Sequence, residues 1–341
     1  MPHAADIAES NDMTRRLAAA RRVCVVGNLN IDLIIRGVAA LPVWGQEVAG
    51  TSHVAASAGQ GGYLAMALGR LGVPTSVVAN VGDDLFGRQI LDDLAAGGVD
   101  AGAVETAPGT TGITVGIVRP DGERAFVSDF ACLRDFDEAL IERHWDRIAA
   151  ADVVCLVAQF CLPRLTPDAV GRVLARARAA GMITMLDTGW DPAGWPPETA
   201  RAIRKLLAHV DIFLPNADEA TALTDLADPQ AAAAALQADG PAIVVVKQGA
   251  AGSLVLVGDE MAALPALPAD VRDAVGAGDT FDASFLYGLL QGWAPAACLA
   301  LGNAAAAIYV SRLADRFPTA DETRRAAAAY GIDLAAKEET A

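Results

Sequence analysis

The sequence predicts an α/β domain built on a doubly wound, mostly parallel sheet with helices on both faces. Continuous apolar and β-branched runs at residues 23–27, 152–160 and 243–247 are typical of strands buried in a parallel sheet. Helical segments alternate with these strands, and right-handed crossovers join such units. With 341 residues, of which 53% are hydrophobic, the chain suits one large domain with a small appendage.

Charge and cysteine usage narrow the classes of partner. The chain has 42 acidic and 26 basic residues, a formal net charge of −16, which opposes binding to nucleic acid or to an anionic membrane. The negative charge favours a cationic cofactor such as Mg²⁺ instead. The five cysteines form no Cys-x-x-Cys pair and mostly lie in apolar runs, so we expect buried free thiols and a cytoplasmic location.

Both ends of the chain are expected to lie outside the folded domain. Residues 1–22 carry arginines where a signal peptide needs an apolar stretch, so they are interpreted as a mobile leader. Residues 331–341 are assigned to a C-terminal tail. The uncharged run at residues 283–311 is long enough to span a membrane, but Gln291, Gly292 and Pro295 interrupt it, and two buried helices explain it better.

A turn of small residues, Gly276-Ala277-Gly278, comes directly before Asp279 and a helical pattern of apolar residues. The first N–H groups of a helix lack intrahelical partners and lie at the positive end of its dipole, so such a turn favours anions. Asp279 then has two open interpretations. It is an ordinary helix N-cap, or it takes a proton from an attacking hydroxyl while phosphates bind the backbone N–H groups.

The nine-residue string from Asp273 to Phe281, Asp-Ala-Val-Gly-Ala-Gly-Asp-Thr-Phe, resembles the C-terminal signature of the ribokinase-like carbohydrate kinases of the phosphofructokinase-B type. The resemblance implies a ribokinase-like fold over residues 23–330, with a small β-sheet lid from segments at about 33–54 and 110–130. It implies ATP-dependent phosphorylation of a sugar hydroxyl, with Asp279 as general base, and pairing of two copies through the lid. Residues 112–118 and 124–128 read as a lid hairpin with an Asp-Gly turn.

On the acceptor side, the resemblance places Asp32 against the hydroxyls of the substrate, with a turn-stabilising role as the alternative. Residues 58–65 resemble the family's glycine-pair signature, in which Gly59 and Gln60 adjoin the acceptor, and a helix is expected over residues 65–71. Three positions depart from the family, the first being Ala58, which replaces the first glycine of the pair. Tyr63 replaces the usual substrate-binding asparagine, and Cys161 lies where ribose-type members have an acidic residue, so the acceptor need not be ribose.

On the nucleotide side, Asn216 and Glu219 look like the family's Mg²⁺- and phosphate-associated motif, although acidic residues that open a helix are equally well explained as dipole partners. Lys247 starts a segment similar to the family's nucleotide loop, where it approaches a phosphate or the adenosine unless it is simply solvated. The remaining residues that the resemblance implies are Gly249, Gly252 and Asn303 around the nucleotide, and Asp273 and Val275, whose carbonyls would bind K⁺. For Asn303, a buried capping or packing role is the alternative.

Other functions stay open on the sequence alone. A P-loop kinase lacks support because no Gly-x-x-x-x-Gly-Lys-Ser/Thr string is present, and a dinucleotide dehydrogenase lacks the later glycines of its fingerprint. A nucleoside kinase of the same family remains an alternative to a sugar kinase. So does a catalytically silent relative that binds a metabolite as a sensor.

Overall fold

Two sheets organise the chain, for which a computed structural model describes residues 13–121, 123–332 and 334. The strands are β1 (Val23–Val26), β2 (Asn30–Arg36), β3 (Ser52–Ala58), β4 (Thr75–Gly82), β5 (Val99–Ala107), β6 (Gly112–Val118), β7 (Arg124–Asp129), β8 (Val153–Val157), β9 (Ile183–Asp187), β10 (Ile212–Phe213), β11 (Ile243–Lys247), β12 (Ser253–Val257) and β13 (Glu260–Leu264). Within these residues the large sheet has nine strands in the order β13-β12-β11-β10-β9-β8-β1-β4-β5. The seven neighbouring strands β11, β10, β9, β8, β1, β4 and β5 pair in parallel, whereas β12 and β13 add an antiparallel edge. The predicted doubly wound, mostly parallel sheet is therefore confirmed.

Helices cover both faces of this sheet. They are α1 (Gln60–Arg70), α2 (Leu85–Ala96), α3 (Glu138–Arg143), α4 (Trp145–Ala149), α5 (Pro167–Ala179), α6 (Pro197–Leu206), α7 (Ala217–Thr224), α8 (Pro229–Gln237), α9 (Ala277–Leu290), α10 (Pro295–Val310) and α11 (Ala320–Ala327). Successive side chains of a strand point to opposite faces, so Val23 and Val25 pack with α1, α9 and α10 while Cys24 and Val26 pack with α5 and α6. Both faces of the strands are buried, which explains their nearly uniform apolar sequences.

The chain leaves β1 in one direction, towards β4 and β5, and later returns to the other side of β1 through β8. Strand order thus reverses between β1 and β8. In open α/β sheets, ligands bind in the crevice that this reversal opens beyond the carboxyl ends of the strands. The segments that follow β1, β8 and β9 meet at this crevice and supply much of the candidate site.

The small sheet has the order β3-β2-β6-β7, and it lies where the lid was expected. Strands β6 and β7 form the predicted antiparallel hairpin, and β2 pairs in parallel with β6. Residue 122, part of the predicted Asp-Gly turn, lies outside the described residues. Apolar side chains on this sheet and its connections are exposed, including Trp44, Phe126 and Val127.

Some boundaries differ from those expected from the sequence. Helix α1 begins at Gln60, five residues before the predicted residue 65, because Gly61 and Gly62 belong to the helix instead of forming a separate loop. Residues 13–19 of the expected mobile leader are helical, and Leu17 is buried in the core. Residues 1–12 and most of the expected tail lie outside the described residues. No helix among the described residues is long and apolar enough to cross a membrane.

Candidate active site

The turn before helix α9 is shaped by Gly276. The Ala277 N–H donates to the Ala274 carbonyl at 3.2 Å and closes the turn. Gly276 has φ 86° and ψ 2°, a left-handed conformation that glycine adopts without strain. A Cβ atom at this position would lie 2.5 Å from the Tyr309 hydroxyl and 3.1 Å from Cδ1 of Tyr63, so the turn is also packed too closely for a side chain.

Asp279 lies in the first turn of α9 but is not its N-cap. Gly276 is the capping residue, and Asp279 follows it by three positions, so the capping interpretation of Asp279 is wrong. Its side chain is buried at the edge of a cavity. Burial, followed by the negative charge of Asp187, raises the pKa of Asp279 to about 8. A carboxylate with such a pKa is suited to accept a proton near neutral pH.

The Lys247 ammonium is held by two carboxylates that sequence reasoning did not include in the site. Its Nζ atom lies 2.7 Å from Asp187 Oδ2, and 3.1 and 2.9 Å from the two carboxylate oxygens of Asp282. Burial opposes the charge on Lys247, yet Asp187 and Asp282 together raise its pKa, so the ammonium stays protonated. A Cβ atom on Gly278 would lie 3.6 Å from Nζ, which places this cation beside the small-residue turn. The alternative of a solvated lysine is wrong.

Asn216 and Glu219 form a capping box at the start of α7. The Glu219 N–H donates to Asn216 Oδ1 at 2.9 Å, and the Asn216 N–H donates to Glu219 Oε2 at 2.8 Å. Asn216 and Glu219 therefore have a structural role at the start of α7. Burial and then the charge of Asp187 raise the pKa of Glu219. The box also holds Glu219 at the cavity wall, so the structural role does not exclude a functional one.

One cavity of about 640 Å³ joins these groups, a volume typical of a small-molecule site. The predicted site residues that line it are Gln60, Asn216, Glu219, Lys247, Gly249, Gly252, Ala277, Gly278, Asp279 and Asn303. The structure thus brings the expected catalytic turn, the Asn216–Glu219 pair and the nucleotide loop together. Asp187 and the lid residue Arg124 line the same cavity.

The acceptor-side residues form a buried hydrogen-bonded chain beyond β1. The Asn28 amide donates to Asn30 Oδ1, and the Asn30 amide donates to Asp32 Oδ1, both at 2.9 Å. The Tyr63 hydroxyl donates to Asp32 Oδ2 at 2.7 Å. Burial raises the pKa of Asp32, and the Tyr63 hydrogen bond opposes this shift in part. Both oxygens of Asp32 therefore have hydrogen-bond partners within the protein, Asn30 on Oδ1 and Tyr63 on Oδ2.

Gln60 and Cys161 both lie close enough to Asp279 for their electrostatics to be linked. The side chain of Gln60 lowers the pKa of Asp279 in part, against the effect of burial, and a Cβ atom on Gly189 would be 2.4 Å from Gln60 Oε1. Cys161 is half-buried, and burial followed by the charges of Asp279 and Asp32 raises its thiol pKa to about 11. A thiol with this pKa stays protonated, which agrees with a packing role for Cys161 and not with a nucleophile.

The glycine loop and Asn303 contribute differently to the nucleotide side. Gly249 and Gly252 have positive φ angles, and a Cβ on Gly252 would lie 2.1 Å from the Leu264 carbonyl oxygen, so the loop is tight. Asn303 accepts from the Ser253 hydroxyl at 3.0 Å and donates to the carbonyls of Leu264 and Pro265. These hydrogen bonds of the Asn303 amide hold β12 and the end of β13 against α10.

The carbonyls of Asp273 and Val275 accept hydrogen bonds from a guanidinium group. Arg316 Nη2 donates to the Asp273 carbonyl at 2.9 Å and to the Val275 carbonyl at 3.2 Å. These are the two carbonyls on which the resemblance places K⁺. The residues at this position therefore do not fit a bound monovalent cation.

Sequence reasoning missed Asp187, Asp282 and Arg316. Asp187 is the last residue of the buried strand β9, at the carboxyl edge of the sheet, and Asp282 comes three residues after Asp279, so both had a local sequence signal. Arg316 had no local sequence signal, because the residues whose carbonyls it binds lie 41 and 43 residues earlier in the chain.

Comparison with known proteins identifies the family of the chain. Residues 20–322 match the family described as "pfkB family carbohydrate kinase". A ribokinase of Bacillus subtilis (strain 168) is 28% identical over 291 residues, which cover 85% of this chain and 93% of that relative. A fructokinase of Rhizobium leguminosarum bv. trifolii is 30% identical over 236 residues, which cover 66% of this chain and 69% of the relative.

A solved structure of Arabidopsis thaliana ribokinase, complexed with ribose and ATP, has a TM-score of 0.78 and 25% identity, covering 90% of this chain and 99% of that one. A putative ribokinase II from E. coli, in complex with ATP and Mg²⁺, has a TM-score of 0.75 at 22% identity and covers 89% of this chain and 98% of that one, which supports the fold. The family match spans the described cavity, both sheets and the turn before Asp279. The chain accordingly belongs to the pfkB family of carbohydrate kinases and is an ATP-dependent sugar kinase.

Proposed function

We propose that the chain transfers the γ-phosphoryl group of ATP to a hydroxyl of a sugar-like acceptor, with Asp279 as the general base. The observation that carries the proposal is the position of Asp279, a buried carboxylate whose pKa is raised to about 8, beside the small-residue turn at the start of α9. In this proposal the acceptor hydroxyl donates to Asp279, its oxygen attacks the γ-phosphorus, and ADP leaves.

The charge that develops on the transferred phosphoryl group is stabilised by the Gly278 N–H and the Lys247 ammonium. The Gly278 N–H lies in the first turn of α9, where helix N–H groups lack intrahelical partners. Since the Ala277 N–H already donates to the Ala274 carbonyl, the Gly278 N–H is the better donor of these two neighbouring groups. Lys247 adds a fixed positive charge within reach of the same turn.

Mg²⁺ fits the cavity as an ion bound mainly to the ATP phosphates and water. The described residues contain no group of three or more His, Cys, Asp or Glu side chains that could hold a metal by themselves. Glu219 and Asn216 at the cavity wall are the residues that would hold Mg²⁺, because the ion takes only a few oxygen contacts from a protein when phosphates provide the rest. The ion would neutralise phosphate charge during transfer.

A panel of acceptors tests the proposed function. Ribose, fructose, a sugar acid and a nucleoside are each incubated with ATP and Mg²⁺, and ADP release is measured together with the phosphorylated product. We expect one acceptor class to give ADP and product in equal amounts. Tight binding of an acceptor without any product, at high enzyme concentration, would contradict the proposal and favour a sensor.

The Tyr63 hydroxyl is expected to select against ribose. Because it occupies Asp32 Oδ2, ribose should be a poor acceptor of the natural chain. Tyr63→Asn should change the ratio of kcat/KM between two acceptors by about tenfold or more, as expected for one hydrogen bond worth roughly 1.4 kcal/mol, and should leave the KM for ATP nearly unchanged.

The matched control is Tyr63→Phe, which keeps the ring against Tyr309 and Phe317 and removes only the hydroxyl. If the acceptor preference depends on the phenol–Asp32 bond, the Phe variant should shift it in the same direction as the Asn variant. Efficient turnover of ribose by the natural chain, or an unchanged acceptor profile in both variants, would show that Tyr63 has no part in selection.

The chain is also proposed to pair with a second copy through the small sheet, as its family resemblance implies. Exposed apolar side chains support this, since Trp44 is 100% exposed and Val43 and Val127 are 66% and 67% exposed. A monomeric mass in light scattering at micromolar concentration would contradict this pairing.

A further inference from the structure

Arg316 holds the three residues that precede the catalytic turn. Its Nη2 atom donates to the carbonyls of Asp273 and Val275, and its Nη1 atom lies 3.3 Å from Asp273 Oδ2. Only 17% of the side chain is exposed. A single planar cation thus satisfies two carbonyls and a carboxylate of one short segment, which a guanidinium can do because its donors are arranged in a fixed fork.

The guanidinium is itself fixed by its surroundings. Its Cζ atom lies 4.0 Å from the centroid of the Tyr309 ring, in a cation–π contact, and Tyr309 packs at 5.3 Å from Phe317. Arg36 reaches the same carboxylate, with Nη2 at 2.8 Å from Asp273 Oδ2. Two guanidinium groups against one carboxylate leave this cluster with a net positive charge.

This cluster controls the backbone that leads into α9. A peptide unit is planar and trans, so its N–H points opposite to its C=O. With the Val275 carbonyl fixed on Arg316, the N–H of Gly276 is fixed on the other side of that peptide. The Asp273 carboxylate adds a further constraint, because its Oδ1 accepts from the Val275 N–H at 3.0 Å.

We propose that Arg316 is a built-in cation that replaces a bound K⁺ ion, so that the turn before Asp279 keeps its form without any added monovalent cation. A K⁺ ion binds backbone carbonyls in place of its hydration shell. Here the two carbonyls already accept from a guanidinium, whose charge and volume exclude a second cation. Arg316 is then a positioning residue, and its effect on turnover rests on the proposed function.

Thermal unfolding tests the proposal without any substrate. Melting temperatures of the natural chain are measured in KCl and in tetramethylammonium chloride at equal ionic strength, and we expect them to agree. Arg316→Ala should melt lower in tetramethylammonium chloride and should regain roughly 1–2 °C in KCl, the shift expected for about 1 kcal/mol of ion binding in a chain of this size.

Arg312→Ala is the matched control, since it removes an arginine from the same region that pairs with Glu322 and contacts neither carbonyl. It should lose stability without any preference for K⁺. Arg316→Met, which keeps the apolar stem over Tyr309, is measured in parallel in case the alanine variant does not fold, and it should show the same K⁺ preference.

Two results would overturn the proposal: a melting temperature of the natural chain that rises in KCl, or equal melting temperatures of both Arg316 variants in the two salts. Once an acceptor is known, the natural chain should turn over equally in both salts, whereas Arg316→Ala should lose kcat in tetramethylammonium chloride and recover it in KCl. Failure of every acceptor would contradict the proposed function and would leave the melting comparison valid.

Discussion

Replacing Asp279 by asparagine is expected to lower kcat by roughly 10²–10⁴, the usual contribution of a general base, while ATP affinity stays nearly unchanged. The variant keeps the shape of the side chain and removes its ability to accept a proton. Initial rates and the Kd for ATP are measured on the same preparation. Asp168→Asn is the matched control, because Asp168 is an exposed acid in the first turn of α5 and should leave kcat unchanged.

The pH dependence gives a second measure of the same residue. A base must be ionised to act, so kcat/KM should rise with pH and level off above about 8, where Asp279 has lost its proton. A profile that is flat between pH 6 and 9 would assign the base to another group. Full activity of Asp279→Asn would do so directly.

Stability distinguishes loss of a base from loss of the fold. Burial raises the pKa of Asp279 from 3.8 to about 8, so the folded state holds this proton more tightly than the unfolded state. The stabilisation that this group gives is present below its unfolded pKa and is lost as pH rises towards 8. Asparagine cannot ionise, so the variant should be at least as stable as the natural chain near pH 8, as measured by urea unfolding.

Local sequence patterns predicted most of the fold and part of the candidate site. The apolar runs that became β1, β8 and β11 were recognisable because a parallel strand is buried on both faces and needs no polar positions. The small-residue turn before Asp279 was recognisable because its conformation needs glycine at position 276. In both cases the physical constraint acts on neighbouring residues, and the sequence records it directly.

Contacts between distant segments were beyond such reasoning. Lys247 and Asp187 lie 60 residues apart in the chain, and each alone looks like an ordinary strand-end residue. The role of Tyr63 was similarly open, because its hydrogen bond to Asp32 depends on how α1 packs against β2. The sheet order and the packing of helices against the sheets set these distances, and no local pattern encodes them.

The same long-range contacts make Lys247→Met the most disruptive change expected for stability. Removing the ammonium leaves the carboxylates of Asp187 and Asp282 buried without their shared cation, and Asp282 is fully buried. Breaking a buried ion pair from one side typically costs about 3–5 kcal/mol of unfolding free energy. Urea unfolding of the variant against the natural chain measures this loss.

A double variant separates the part of Lys247 in folding from its part in catalysis. Lys247→Met with Asp282→Asn removes one of the two buried carboxyl groups along with the ammonium, so it should recover much of the lost stability. It should still turn over at least about 10²-fold more slowly, because the fixed charge beside Gly278 is absent from the transition state. Its pH profile should also move to higher pH, since Lys247 lowers the pKa of Asp279 against the effect of burial. A double variant that regains both stability and full turnover would mean that Lys247 serves only to hold the sheet edge together.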